Sequence, residues 1–330
     1  MERKEFVKLC RRHTLESSPG ANNHSLSKKI LSLISNYRAD NNDKLPVIWL
    51  VTNDSGDNNI SFMNTTYPYL DQVLKEMIDL LYAEPFMAAQ GRDAVRILEK
   101  AARERKGQFT LVVEGAIPLK DKTYTTLFTV DGRAVGAREV VAWLGELAQY
   151  VVAIGTCASF GGPTTARPNV SGSVAVSEVL EREVINVSGC PINPDWFVGT
   201  LAHLLMYGEP ELDRFNRPTL FYGFTVHRHC QRRSYFDNQE FADNLGDIEC
   251  MFSLGCVGPR TGSDCPYRQW INYVNWPVRA NTPCIGCTNP DFPDGSTPFF
   301  TPLPEKRGGE EEPSQDEGEP PWEEGVKNND

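Results

Sequence analysis

The sequence predicts an α/β fold, a mainly parallel sheet with helices on both faces, followed by a small, irregular, cysteine-rich region. Three observations carry this. From residue 45 to about 206, apolar runs of strand length alternate with segments of helical period, which is the pattern of a wound parallel sheet. Three of the strand ends are polar or carry cysteine (Asn53–Asn58, Cys157 and Cys190), and ligands of such sheets sit at the carboxyl ends of strands. Six of the nine cysteines then fall between Cys230 and Cys287, where Gly, Pro and aromatics are dense and helix and strand signals are short.

Each element has its own signal. Leu45–Val51 is an unbroken apolar run and reads as a buried strand. Tyr69–Tyr82 places Leu70, Val73, Leu74, Met77, Leu80 and Leu81 on one broad face and predicts a helix. Phe109–Val113 is a second strand, Val135–Ala148 a helix, and Tyr150–Ile154 a third strand that ends at Gly155-Thr156-Cys157. Val184–Val187 is a fourth strand, ending at Gly189-Cys190-Pro191, and Trp196–Met206 is a helix. The chain divides into an extension over 1–44, the α/β domain over 45–206, the cysteine-rich domain over 207–300 and a tail over 301–330. A short amphipathic helix is expected over Leu26–Tyr37, and the Glu/Pro/Gly-rich tail reads as disordered.

Charge excludes several functions. The net charge is −11, and the tail, with ten acids and three bases, holds much of it. An acidic chain lacks the basic face that a nucleic-acid binder needs for phosphates. No apolar run reaches the ~18–20 residues of a membrane span. Arg3-Lys4-Glu5-Phe6-Val7-Lys8 is similar to a worn twin-arginine export motif, but Arg11-Arg12-His13-Thr14-Leu15-Glu16 follows where a working signal needs an apolar stretch. A cytoplasmic chain is therefore the expectation, and the periplasmic side of a membrane is less favoured.

The cysteines point to metal. The chain is long, its cysteine count is odd and it lacks a secretory apolar segment, so ligation is a better reading than a disulfide framework. The candidates are His227-Arg228-His229-Cys230, Cys250, Cys256, Cys265 and Cys284-Ile285-Gly286-Cys287. Thiolates are soft ligands suited to iron–sulfur clusters or zinc, and on residue types alone the two are equally expected.

The order of motifs resembles one family, the small, electron-transferring subunits of nickel–iron hydrogenases. The resemblance runs from about 45 to 295. It includes Glu114-Gly115-Ala116-Ile117-Pro118, Gly155-Thr156-Cys157-Ala158-Ser159-Phe160-Gly161-Gly162 and Gly189-Cys190-Pro191-Ile192-Asn193-Pro194. It continues through Gly246-Asp247-Ile248-Glu249-Cys250, Leu254-Gly255-Cys256-Val257-Gly258-Pro259 and Cys284-Ile285-Gly286-Cys287. It implies a flavodoxin-like parallel-sheet domain followed by an iron–sulfur domain. By position, His227, Cys230, Cys250 and Cys256 resemble the ligands of a distal [4Fe–4S] cluster. Cys265, Cys284 and Cys287 resemble those of a medial [3Fe–4S] cluster, with Pro277 where a fourth thiolate would fall. His227 fits the family's His-x-x-Cys spacing, and His229 reads as its solvent-facing neighbour. A neutral imidazole in place of an anionic thiolate makes the distal cluster easier to reduce.

The resemblance breaks at the first strand. Cys157 and Cys190 match two ligands of a third, proximal cluster, and are a remnant of that site. The other two belong to a Cys-x-x-Cys motif, and aligning Trp49-Leu50 puts Ser55 and Asn58 there. Three readings follow: an absent or labile proximal cluster, an altered third cluster with oxygen ligation from Asp54, Ser55 or Asp57, or a mononuclear metal on Cys157, Cys190 and an Asp. Asp54, Asp57 and Asn58 also suit a polar turn that caps the next helix, and Glu114 suits capping or proton movement.

With only one Cys-x-x-Cys, the chain holds no nickel of its own. The resemblance implies a heterodimer with a hydrogenase large subunit and an external electron carrier or redox partner protein. The alternatives are a divergent non-hydrogenase electron relay, a regulatory or scaffold paralogue, and a zinc-stabilised interaction protein.

Overall fold

The structure is a computed structural model that describes residues 3–7, 37, 43–66, 68–270 and 273–299. The predicted helix over Leu26–Tyr37 lies outside these residues apart from Tyr37, as do Cys10 and the acidic tail.

Five strands form one sheet: β1 (Leu45–Val51), β2 (Ile78–Ala83), β3 (Thr110–Glu114), β4 (Tyr150–Ile154) and β5 (Ile185–Val187). Their order is β2-β1-β3-β4-β5 and every pairing is parallel. This is the doubly wound, flavodoxin-like order, with its switch point between β1 and β3. Alternate strand residues feed two hydrophobic layers, as the period of a strand requires. Trp49, Val112, Val152, Ile154 and Val187 pack with Phe62 of α1 (Asp57–Met63) and with Trp196, Phe197 and Leu201 of α5 (Pro194–Tyr207). Ile48, Leu50, Leu111, Val113, Val151 and Ala153 face the other way. They meet Leu98 and Ala102 of α2 (Gly91–Glu104) and Val140, Val141 and Leu144 of α3 (Ala137–Leu147). A short helix, α4 (Gly155–Phe160), follows β4 directly.

Three local differences from the sequence reading have physical causes. The predicted helix over Tyr69–Tyr82 is real only in its first half, as one turn over Leu70–Gln72 and a π-turn over Val73–Met77. Ile78–Ala83 is the edge strand β2, because a short apolar run serves a buried strand as well as a buried helix. Helix α2 was not predicted, since its buried apolar stripe consists of Leu98 and Ala102 alone. Val135, expected to open a helix, pairs with Phe128 in an antiparallel hairpin, and the helix starts at Ala137.

Residues 3–7 are helical, and Phe6 is wholly buried with its ring 5.3 Å from that of Tyr207. Arg3 reaches His203 Nε2 at 3.2 Å. Phe6 thus belongs to the folded core, while Arg3, Lys4 and Glu5 are exposed.

After Tyr207 the helices shrink to three to five residues. The apolar core there is small: Val226, Ala242, Met251, Trp276 and Val278, with Cys230, Cys256, Cys265 and Cys284 packed against it. A buried charge cluster docks this part onto α5. Asp264 accepts from Trp196 Nε1 at 2.6 Å and from Arg268 Nε at 2.8 Å, and Arg268 also pairs with Asp195 at 3.4 Å. Among the described residues, no helix is long and apolar enough to cross a membrane.

Candidate metal centres

The carboxyl ends of β1, β3, β4 and β5 converge on one position. Glu114, the last residue of β3, is fully buried. Its carboxylate accepts from Trp49 Nε1 at 3.1 Å and from the backbone amides of Asn58 and Asn59, each at 3.1 Å. Those amides open α1, so Glu114 caps the helix from a neighbouring strand. Of the two capping candidates the sequence offers, Glu114 takes this role, and Asp54 of the polar turn accepts from the Gly56 amide at 3.1 Å. Carboxylate oxygens of Asp54, Asp57 and Glu114 lie within 4.8 Å of one another. Burial, then the Asp54 carboxyl beside it, pushes Glu114 up to about 8. Burial and the charge of Asp54 also raise Asp57.

Cys157 lies in α4 and Cys190 follows β5. Burial raises Cys157 to about 11, while burial and then the Cys157 sulfur raise Cys190 to about 12; both thiols also feel the charges of Asp54 and Asp57. The structure thus brings Cys157, Cys190, Asp54 and Asp57 together. Ser55 is exposed, whereas Asn58 is buried.

One hydroxyl joins this position to the next. Thr156 Oγ1 accepts from the Gly189 amide at 2.9 Å and donates to the carbonyl of Cys287. Cys287, Cys265 and Cys284 face each other closely enough that the charges of Cys284 and Cys287 act on Cys265. Burial is the first cause of the raised pKa of all three. Ser263 Oγ sits 2.8 Å from Cys265 Sγ. Gly286 has φ +73, and a Cβ there would meet Asn289 Nδ2 at 2.8 Å, so the turn between the two cysteines depends on glycine.

The distal set adjoins the medial one, since the Val257 amide donates to the Cys284 carbonyl at 2.9 Å. Burial is the main cause that raises Cys230, with the Cys256 and Cys250 sulfurs adding to it, and Cys250 and Cys256 are also raised by burial. The His227 ring stands 4.4 Å from Phe236, which in turn packs on Phe241 and Phe252. Every described cysteine is a free thiol, so the donors that face one another are not tied up in disulfides. Cys230, Cys250 and Cys256 act on one another, as do Cys265, Cys284 and Cys287, and two such groups of thiols are soft donors of the kind iron–sulfur clusters use.

His229 is not the solvent-facing neighbour expected. It hydrogen-bonds with the Tyr267 hydroxyl and packs edge-on against Phe224 at 4.8 Å, and burial lowers its pKa. Arg232 is the important residue that motif reading missed. Its buried guanidinium donates to the carbonyls of Asp247 at 2.6 Å and Glu249 at 2.7 Å, and to Asn281. It therefore fixes the approach to Cys250 and places positive charge beside the thiols. The one hint in sequence is its position two residues after Cys230.

Residues 222–300 match the family that describes the C-terminal part of NiFe/NiFeSe hydrogenase small subunits. Residues 56–204 match the family described as NADH ubiquinone oxidoreductase, 20 Kd subunit. The chain is similar to the periplasmic [NiFeSe] hydrogenase small subunit of Desulfomicrobium baculatum, with 37% identity covering 91% of this chain and 98% of that one. The periplasmic [NiFe] hydrogenase small subunit of Solidesulfovibrio fructosivorans is 36% identical, covering 91% and 93%. Among solved structures, the [NiFeSe] hydrogenase of Desulfomicrobium baculatum superposes with a TM-score of 0.75 at 36% identity, covering 79% of this chain and all of that chain. These relatives correct the expectation of a cytoplasmic location, because both are named periplasmic. That expectation rested on a missing apolar stretch over Arg11–Glu16.

Proposed function

Because the chain belongs to the family of nickel–iron hydrogenase small subunits, we propose that its electron path runs through two iron–sulfur clusters. The chain is the electron-transferring, non-catalytic subunit of a hydrogenase-type oxidoreductase. Hydrogenase small subunits carry iron–sulfur clusters; the finer assignment is our reading. His227, Cys230, Cys250 and Cys256 would hold a distal [4Fe–4S] cluster, and Cys265, Cys284 and Cys287 a medial [3Fe–4S] cluster. Bound there, the clusters supply one-electron acceptance and release.

The chain's own residues set the conditions. Burial keeps the thiols protonated until metal displaces the proton, so loading the sites releases protons. Phe236 packs against the His227 ring and against the exposed Phe241 and half-buried Phe252, which fixes the ring's orientation. His227 contributes no charge, which favours the reduced state of the distal group. Arg232 acts in the same direction. We further propose that a large subunit with the nickel site pairs with this chain, and that an external carrier exchanges electrons at the distal end.

The observation that carries this reading is the adjacency of the two donor sets, tied by the Val257–Cys284 bond. Metal and acid-labile sulfide analysis of the anaerobically purified complex tests it. About seven irons per chain are expected, from one four-iron and one three-iron cluster. Zinc without sulfide would overturn the reading.

A further inference from the structure

The strand-end position does not fit the family's third cluster. Among the described residues, Cys157 and Cys190 are the two thiols on which the charges of Asp54 and Asp57 act, and the Asn58 side chain beside those carboxylates is already bonded. Asn58 Nδ2 donates to Asp54 Oδ2 at 3.3 Å and to Asp57 Oδ1 at 3.1 Å. Its Oδ1 accepts from the Ile192 amide at 3.0 Å, two residues beyond Cys190. Its own backbone amide donates to Glu114. The side chain lies flat on Gly155: a Cβ there would stand 2.5 Å from Asn58 Nδ2 and 2.8 Å from its Oδ1. Asn58 is 2% exposed.

One residue of the first turn of α1 therefore touches the end of β3, the residue after β4 and the segment that follows β5. We infer that Asn58, bonded to Asp54, Asp57, Glu114 and Ile192, is an amide–carboxyl plug that fills the place of the third cluster. The four strand ends are joined there by hydrogen bonds instead of metal. Two physical points support this. A carboxamide is a neutral, hard ligand and a poor substitute for a thiolate on iron. Its donors and acceptor are all satisfied within the protein, as buried polar groups require, so displacing it would orphan the Ile192 amide. The inference rests on the two-cluster reading above, and it makes the strand ends a structural joint and not an electron relay.

The experiment uses the full chain in its complex, purified anaerobically, as wild type, Asn58→Ala and Ser55→Cys/Asn58→Cys. Iron is counted, and hydrogen exchange is followed at the Ile192 amide. The inference expects about seven irons in the wild type and the same in Asn58→Ala, against a gain of about four where two cysteines restore the thiolate set. It also expects Asn58→Ala to speed exchange at Ile192. A wild-type count near eleven would overturn the plug, as would a loss of about four irons or unchanged exchange in Asn58→Ala. A double variant that folds and still gains no iron would also count against it. A count near zero is different: it would remove the distal and medial clusters, and the inference with them.

Discussion

The strand ends and the cysteine-rich half meet at Thr156 and Cys287, yet they are built on opposite principles. Around the strand ends, two apolar layers on a five-stranded sheet hold everything in place, and the polar residues are satisfied by one another. Among the described residues beyond Tyr222, the apolar cluster is small (Val226, Ala242, Met251, Trp276 and Val278), and four thiols and Leu254 pack on it. The first region rests on two large apolar layers, whereas the second has a small core for its length. On the proposal above, position in the fold alone does not make a metal site: at the strand ends the Asn58 amide is bonded to the carboxylates that could otherwise take a cation.

Metal removal should separate the two most sharply. Chelation or acid stripping of iron is expected to make residues 207–299 protease-sensitive while the sheet domain stays resistant, because the metal crosslinks a region with little core. Limited proteolysis read by mass spectrometry checks this, and uniform cleavage would break the comparison. Next comes the sheet core. Trp49 is fully buried against Phe62, Phe86 and Phe197. Trp49→Ala should cost about 3–5 kcal/mol in urea unfolding, with the iron per folded chain unchanged.

Asn58→Ala is expected to cost less, about 1–3 kcal/mol, for orphaned buried hydrogen-bond groups. Paired unfolding curves of the purified complex would show it. A further test concerns pH. Glu114 is raised to about 8 in the fold, against about 4.3 for an unperturbed Glu. A folded pKa above the unfolded one gives a contribution that is full below the unfolded value and is lost as pH rises through about 8. The urea midpoint should therefore decline from this group between about pH 5 and 8, and Glu114→Gln should flatten the decline. Parallel profiles for the two proteins would remove Glu114 as its source.

Much of the fold was legible in sequence, because β1, β3, β4 and β5 are apolar runs with ends marked by Asn53, Glu114, Cys157 and Cys190. The edge strand β2 was not, since Ile78–Ala83 continues a helical spacing and only pairing with β1 decides its state. Cys265, Cys284 and Cys287, which the structure brings together, were legible as a group because thiols at short spacing have few other uses together. The role of Asn58 was not, because its partner Ile192 lies 134 residues away and an Asn in a turn has an ordinary local explanation. Arg232 escaped for a similar reason: it bonds carbonyls, and carbonyls leave no trace in composition. The location was misread because it was drawn from a missing apolar stretch over Arg11–Glu16.

The central claim is that electrons pass through two clusters in the second half and none at the strand ends. A potentiometric EPR titration of the anaerobic complex, with spins quantified per chain, tests it most directly. The account predicts two iron–sulfur centres from this chain, one of them a three-iron species. A third centre that disappears on Cys157→Ala would contradict it.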